Sequence, residues 1–204
     1  MERIDEYLQA LASEAPTPGG GSAASLVAAH GAALVAMVAR ICASNPKRSD
    51  IHGLAQRLVI DADAATADLL EARLKDEVAF SAVVAAQALP RDTDVAKDLR
   101  SQALQASLAG AAKAPLHAAT LALHVLHLTR DALDLNNRDL LSDLGCAAEF
   151  ASAAVHAYAY NVRINHRYLR DTVLIAEQER DLAALESAQT TMLDHIRRVA
   201  TAIN

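Results

Sequence analysis

Residues 22–43 read SAASLVAAHGAALVAMVARICA, and Arg40 is the only Asp, Glu, Lys or Arg in the run. Wound as a helix, this segment has almost no polar face. A helix apolar nearly all round belongs in the middle of a bundle, where neighbours cover every side. Its small side chains let those neighbouring backbones approach closely. Residues 23–39 also invite a membrane reading. They fall short of the roughly 20 residues of a spanning helix, and His30 interrupts them. The expectation is a buried central helix and no membrane partner.

The rest of the chain agrees with a helical bundle. Alanine, the best helix former, supplies close to a quarter of the 204 residues. Aromatic residues make up 3%, too few for an all-β chain. A hydrophobic content of 52% excludes a disordered one. The length suits a single domain over residues 1–204 with a real core. A net charge of −6 argues against nucleic acid as a partner, because phosphate neutralisation needs clustered Lys and Arg. Cys42 and Cys146 lie far apart in apolar helical patterns, which suits buried free thiols better than a disulfide or a zinc site. The opening residues MERIDEYLQ are charged and amphipathic, unlike a signal peptide. A cytoplasmic location follows as an expectation.

Periodicity and breakers divide the chain. Ile4, Tyr7, Leu8 and Leu11 mark a short amphipathic helix. The segment PTPGGGS ends it, and the central helix follows over 22–43. Asn45-Pro46 predicts a turn. A long helix is expected over 49–88, closed by Pro90, with Asp92 or Thr93 capping the next. That next helix should run over 93–113, with Pro115 kinking or interrupting it before another stretch to 134. Asn136-Asn137 predicts a turn. Two more helices are expected over 138–165 and 168–203. The fold class is therefore all-α, a single bundle of six to eight helices.

Three places carry chemistry. Gly19-Gly20-Gly21-Ser22 precedes the most apolar helix, where Ser22 can act as its N-cap. The open N–H groups of that first turn can face an anionic or electron-rich ligand. The glycines serve equally well as a tight packing turn. Asp76 falls on an apolar stripe through Leu69, Ala72, Ala79, Phe80 and Val83. A carboxyl there is either desolvated, which raises its pKa and suits a general acid/base, or paired with Arg73 one turn away. A third stripe holds Asp143, Ala147, Phe150, Ala154, Tyr158, Asn161 and Asn165. Its buried amides bond either to other helices or to a bound heteroaromatic ring. His117, His124 and His127 form no metal motif, and no metal is expected.

In this order the motifs resemble the folate cyclodeaminase/cyclohydrolase family. That family includes stand-alone methenyltetrahydrofolate cyclohydrolases and the C-terminal half of formiminotransferase-cyclodeaminase. The likeness runs through PTPGGGSAASLVAAHGAALVAMVARI, DEVAF, ALP, KDLRSQALQ, Pro115, NN, SDLGCAA and NVRIN, nearly the whole chain. It implies a helical folate enzyme, usually a homodimer, with no metal or redox cofactor. It also implies Asp76 as the catalytic residue. The folate contacts it implies are Pro18, Gly19, Gly20, Gly21, Ser22, Lys47, Arg48, Arg100, Asn137, Ser142, Asp143, Asn161 and Asn165. Two departures stand out. Leu74 occupies the first position of the family's D-x-D-x-x-AF pattern. Asn45 to Ser49 replaces a Lys-rich segment, leaving Lys47 and Arg48 to meet the glutamate tail. The implied reaction is hydrolysis of 5,10-methenyltetrahydrofolate to 10-formyltetrahydrofolate. Cyclodeamination of formiminotetrahydrofolate is the near alternative, and a non-catalytic assembly module the distant one.

Overall fold

The computed structural model describes residues 3–201 and contains six α-helices, with no strand among the described residues. They are α1 (Ile4–Leu11), α2 (Gly20–Ala43), α3 (His52–Gln87), α4 (Asp94–Leu133), α5 (Leu141–His166) and α6 (Thr172–Thr201). Single 3-10 turns, Ser49–Ile51 and Arg138–Leu140, lead into α3 and α5. The expected all-α bundle is what forms. The last expected helix reaches Ile203, which lies outside the described residues.

Helix α2 is central. It packs on α3, α4 and α5, and Ala28, Ala32, Val35, Val38 and Ala39 are fully buried. It is long and apolar enough to cross a membrane, and here it serves as the core helix. Helix α4 closes the bundle against α3 and α5, and α6 lies across α4 and α5. The α2–α5 contact is close. A methyl group at Gly31 would stand 2.9 Å from the Ala147 carbonyl oxygen, so only glycine permits this approach. Helix α2 runs antiparallel to α5. Gly20 meets Asn161, Ser25 meets Tyr158, Gly31 meets Ala147, and Cys42 meets Asn137. This register decides which motifs can share a site.

Pro115 does not interrupt α4, which runs unbroken for 40 residues. Proline cannot donate to the carbonyl four residues earlier, here Ala111. The Asn165 side chain supplies the missing donor, with Nδ2 3.0 Å from Ala111 O. A side chain on α5 therefore replaces a backbone bond of α4. The expected caps and turns divide. Thr93 caps α4 by accepting the Ala96 N–H, and Asn136 takes a positive φ of 47° in the expected turn. Helix α2 instead starts at Gly20 with Gly19 as its N-cap, so Ser22 already lies within the first turn. Cys42 is a buried free thiol as expected, whereas Cys146 is exposed because Ala147 and Ala148 take the inward positions.

Candidate active site

Along α3 the inward stripe changes character. Leu69 and Ala72 are in the core, but Phe80 is 42% exposed. Asp76 sits at the transition, half-buried. It lines a cleft of about 240 Å³ between the PTPGG segment, α3, α4 and α5. Gly19, Gly20, Asn161 and Asn165 face the same cleft, with Phe80, Val83, Leu108 and Ile164 as apolar walls.

The carboxyl of Asp76 is placed by a missing side chain. A methyl group at Gly21 would stand 2.5 Å from Asp76 Cγ. The carboxylate can therefore press against the first turn of α2 only because residue 21 is glycine. Three effects act on its protonation. Burial pushes its pKa above the ordinary carboxylate value, the adjacent Glu77 charge pushes the same way, and the Ser22 backbone N–H pulls back. The upward effects win. Arg73, the candidate ion-pair partner, lies over the Tyr7 ring, 5.3 Å from its centroid.

Beneath Asp76 a hydrogen-bonded chain fixes the corner. The Ser22 hydroxyl donates to Glu77 Oε1 at 2.8 Å, so the Tyr7 hydroxyl, 3.0 Å from Ser22 Oγ, donates to it. Ser22 is wholly buried and its hydroxyl is fully engaged in this chain. Ser25 donates to Gly21 O at 3.2 Å and lies 2.7 Å from the Tyr158 hydroxyl. Burial raises the Tyr158 pKa, and the charge of Asp76 adds to the effect. Tyr158 therefore stays neutral and anchors the turn.

The two amides are divided between structure and cleft. Asn165 spends both N–H groups, on Ala111 O at 3.0 Å and on Asn161 O at 2.8 Å. Asn161 donates to Ala157 O at 2.8 Å. Their Oδ1 atoms make no bond among the described residues, so the cleft presents two acceptors to a ligand or water.

Five of the remaining expected contacts fall elsewhere, while Pro18 and Arg100 adjoin the cleft. Lys47, Arg48, Asn137, Ser142 and Asp143 gather at the opposite end of the bundle, a full length of α2 away, about 36 Å. There Arg48 donates to Leu135 O, and Asn137 caps a turn through Asp139 N while donating to Cys42 Sγ. Pro18 is half-buried between two residues that line the cleft. Arg100 donates to the carbonyl of the lining residue Gln87 at 3.2 Å. Sequence reasoning missed Glu77, Ser25 and Tyr7. Only the DEVAF motif, which contains Glu77, gave any signal for them.

Comparison with known proteins identifies the family. The formiminotransferase-cyclodeaminase family matches residues 3–184. The chain belongs to that family. It is 33% identical over 184 residues to the methenyltetrahydrofolate cyclohydrolase of Methylorubrum extorquens, covering 90% of this chain and 88% of that one. It is 30% identical over 179 residues to rat formimidoyltransferase-cyclodeaminase, covering 88% of this chain and 33% of that longer protein. Among solved structures, the formiminotetrahydrofolate cyclodeaminase of Thermotoga maritima superposes with a TM-score of 0.89 at 24% identity. It covers 99% of this chain and 97% of its own. Membership of the formiminotransferase-cyclodeaminase family thus rests on sequence along nearly the whole chain, and the shared fold on the superposition.

Proposed function

We propose that this folate one-carbon enzyme hydrolyses 5,10-methenyltetrahydrofolate to 10-formyltetrahydrofolate, with Asp76 as general acid and base. The observation that carries the reading is a carboxyl of raised pKa at a helix N-terminus, in a cleft whose free amide oxygens can hold water. A cyclohydrolase matched along 88% of its own length supports the choice of reaction.

The substrate carries an amidinium carbon between N5 and N10. Water bonded to Asn161 or Asn165 Oδ1 attacks that carbon while Asp76 takes its proton. The tetrahedral adduct then breaks its bond to N5, and Asp76 returns the proton there. The hydroxyl of the adduct loses its proton to solvent as the formyl group forms on N10. A carboxyl with a pKa closer to neutrality serves both steps better than an ordinary aspartate.

The test is loss of the methenyl chromophore in the ultraviolet when purified protein meets methenyltetrahydrofolate. Decay faster than in buffer supports hydrolysis. Ammonia released from formiminotetrahydrofolate, with no effect on the methenyl compound, would replace the reading with cyclodeamination.

A further inference from the structure

The cleft is longer than the chemistry at Asp76 requires. Asp76, Phe80, Val83 and Gln87 line it in one row along α3, and the helical rise between the first and last is about 16 Å. One end holds Asp76, Gly20 and Asn161. The other holds Gln87 and Tyr168, and the wall between them is apolar, with Phe80, Val83, Leu108 and Ile164.

Arginines collect at the far end. Arg100 donates from Nε to Gln87 O at 3.2 Å. The Arg167 guanidinium lies over the Tyr168 ring, 5.8 Å from its centroid. Arg170 donates from Nη1 to the hydroxyl of Ser101, the residue after Arg100, at 3.0 Å. Gln105 ties these pieces together by donating to Tyr168 O and accepting the Arg170 N–H. None of the three guanidinium groups pairs with a carboxylate among the described residues. The nearby Asp171 carboxylate accepts the N–H groups of Val173 and Leu174 at the start of α6. In an acidic protein, three grouped guanidiniums without counter-charges form a natural carboxylate site, because each offers a planar pair of donors.

We propose that Arg100, Arg167 and Arg170 form an anion subsite that takes the glutamate carboxylates of a folate while its one-carbon bridge lies at Asp76. This rests on the folate reading above and adds an orientation to it. A folate carries its reacting nitrogens and its acidic tail at opposite ends of a flat aminobenzoyl ring. The cleft offers a carboxyl and then an apolar corridor, and the arginines stand beside its far lining residues, Gln87 and Tyr168. Lys47 and Arg48, at the other end of α2, belong to no part of this path.

The test compares two substrates. One is methenyltetrahydrofolate with a single glutamate, and the other is the methenyl derivative of tetrahydropteroate, which lacks the glutamate. In the Arg167→Gln/Arg170→Gln protein, kcat/KM for the glutamate substrate should fall about tenfold, mostly through KM. The pteroate substrate should lose far less. A tail of three glutamates should widen the gap between wild type and variant, and added salt should narrow it. Equal losses on both substrates would overturn the subsite and leave the arginines a structural role, as would no loss on either. Failure of the wild type to turn over both substrates would instead sink the folate reading, and the subsite with it.

Discussion

Gly21→Ala isolates the placement of Asp76 from the stability of the fold. The added carbon would lie 2.5 Å from Asp76 Cγ, whereas carbon atoms in contact prefer about 3.5–4.0 Å. Something must therefore move by about 1 Å or more. The cheapest movement is rotation of the Asp76 side chain, because the carboxylate is the free end of that side chain and α2 is a packed core helix. The backbone of residue 21 is helical, so alanine fits it, and helix propensity favours the change by up to about 1 kcal/mol. A displacement of about 1 Å at a reacting group costs on the order of a hundredfold in rate, or about 2.7 kcal/mol of barrier. We expect kcat/KM on methenyltetrahydrofolate to fall about a hundredfold while the thermal midpoint by circular dichroism holds or rises. Activity within threefold of wild type, in a folded protein, would refute this placement of Asp76. Gly31→Ala is the contrasting case. Its carbon would meet the backbone oxygen of Ala147 at 2.9 Å, which cannot rotate away, so we expect a stability loss of about 1–3 kcal/mol.

Three further outcomes are expected. Glu77→Gln removes a charge that raises the Asp76 pKa, so the acid limb of the kcat/KM profile should move to lower pH; an unmoved limb would show that Glu77 does not act on Asp76. Asp76→Asn should raise the thermal midpoint at about pH 8 and not at about pH 3, because folding holds this proton more tightly than the unfolded chain and stability falls as pH rises through the raised pKa. A gain of the same size at both pH values would contradict burial as the cause. Asn165→Leu strands the Ala111 carbonyl and should cost about 1–3 kcal/mol in denaturant unfolding. Pro115→Ala restores a backbone donor to that carbonyl, so the double variant should lose less than the single one, and strict additivity would refute the coupling.

The bundle was legible because one apolar helix demanded neighbours on every side, and the carboxyl at Asp76 because it interrupted a stripe. Other features depend on partners distant in sequence. Pro115 looked like a helix break, since nothing local announces that Asn165 supplies the lost donor. Periodicity put Asp143 and Asn161 at opposite ends of one face of α5 but did not say which end meets the first turn of α2. The end with Asn161 does, so only Asn161 reaches the cleft. Ser22 had the chemistry of an N-cap, yet Gly19 takes that position and Glu77 claims the hydroxyl. Arg100 lies in the KDLRSQALQ motif and was an expected folate contact, whereas Arg167 and Arg170 show no motif, because α4 and the end of α5 meet only in the fold.

The central claim is that Asp76 moves the proton at the reacting carbon. The most direct measurement is single-turnover decay of the methenyl absorbance with wild type and Asp76→Asn, with folate binding followed by fluorescence in the same samples. We expect the variant to bind within a few-fold of wild type and to lose the decay by on the order of 10²–10⁴. Decay at the wild-type rate in a variant that binds the substrate would contradict the assignment.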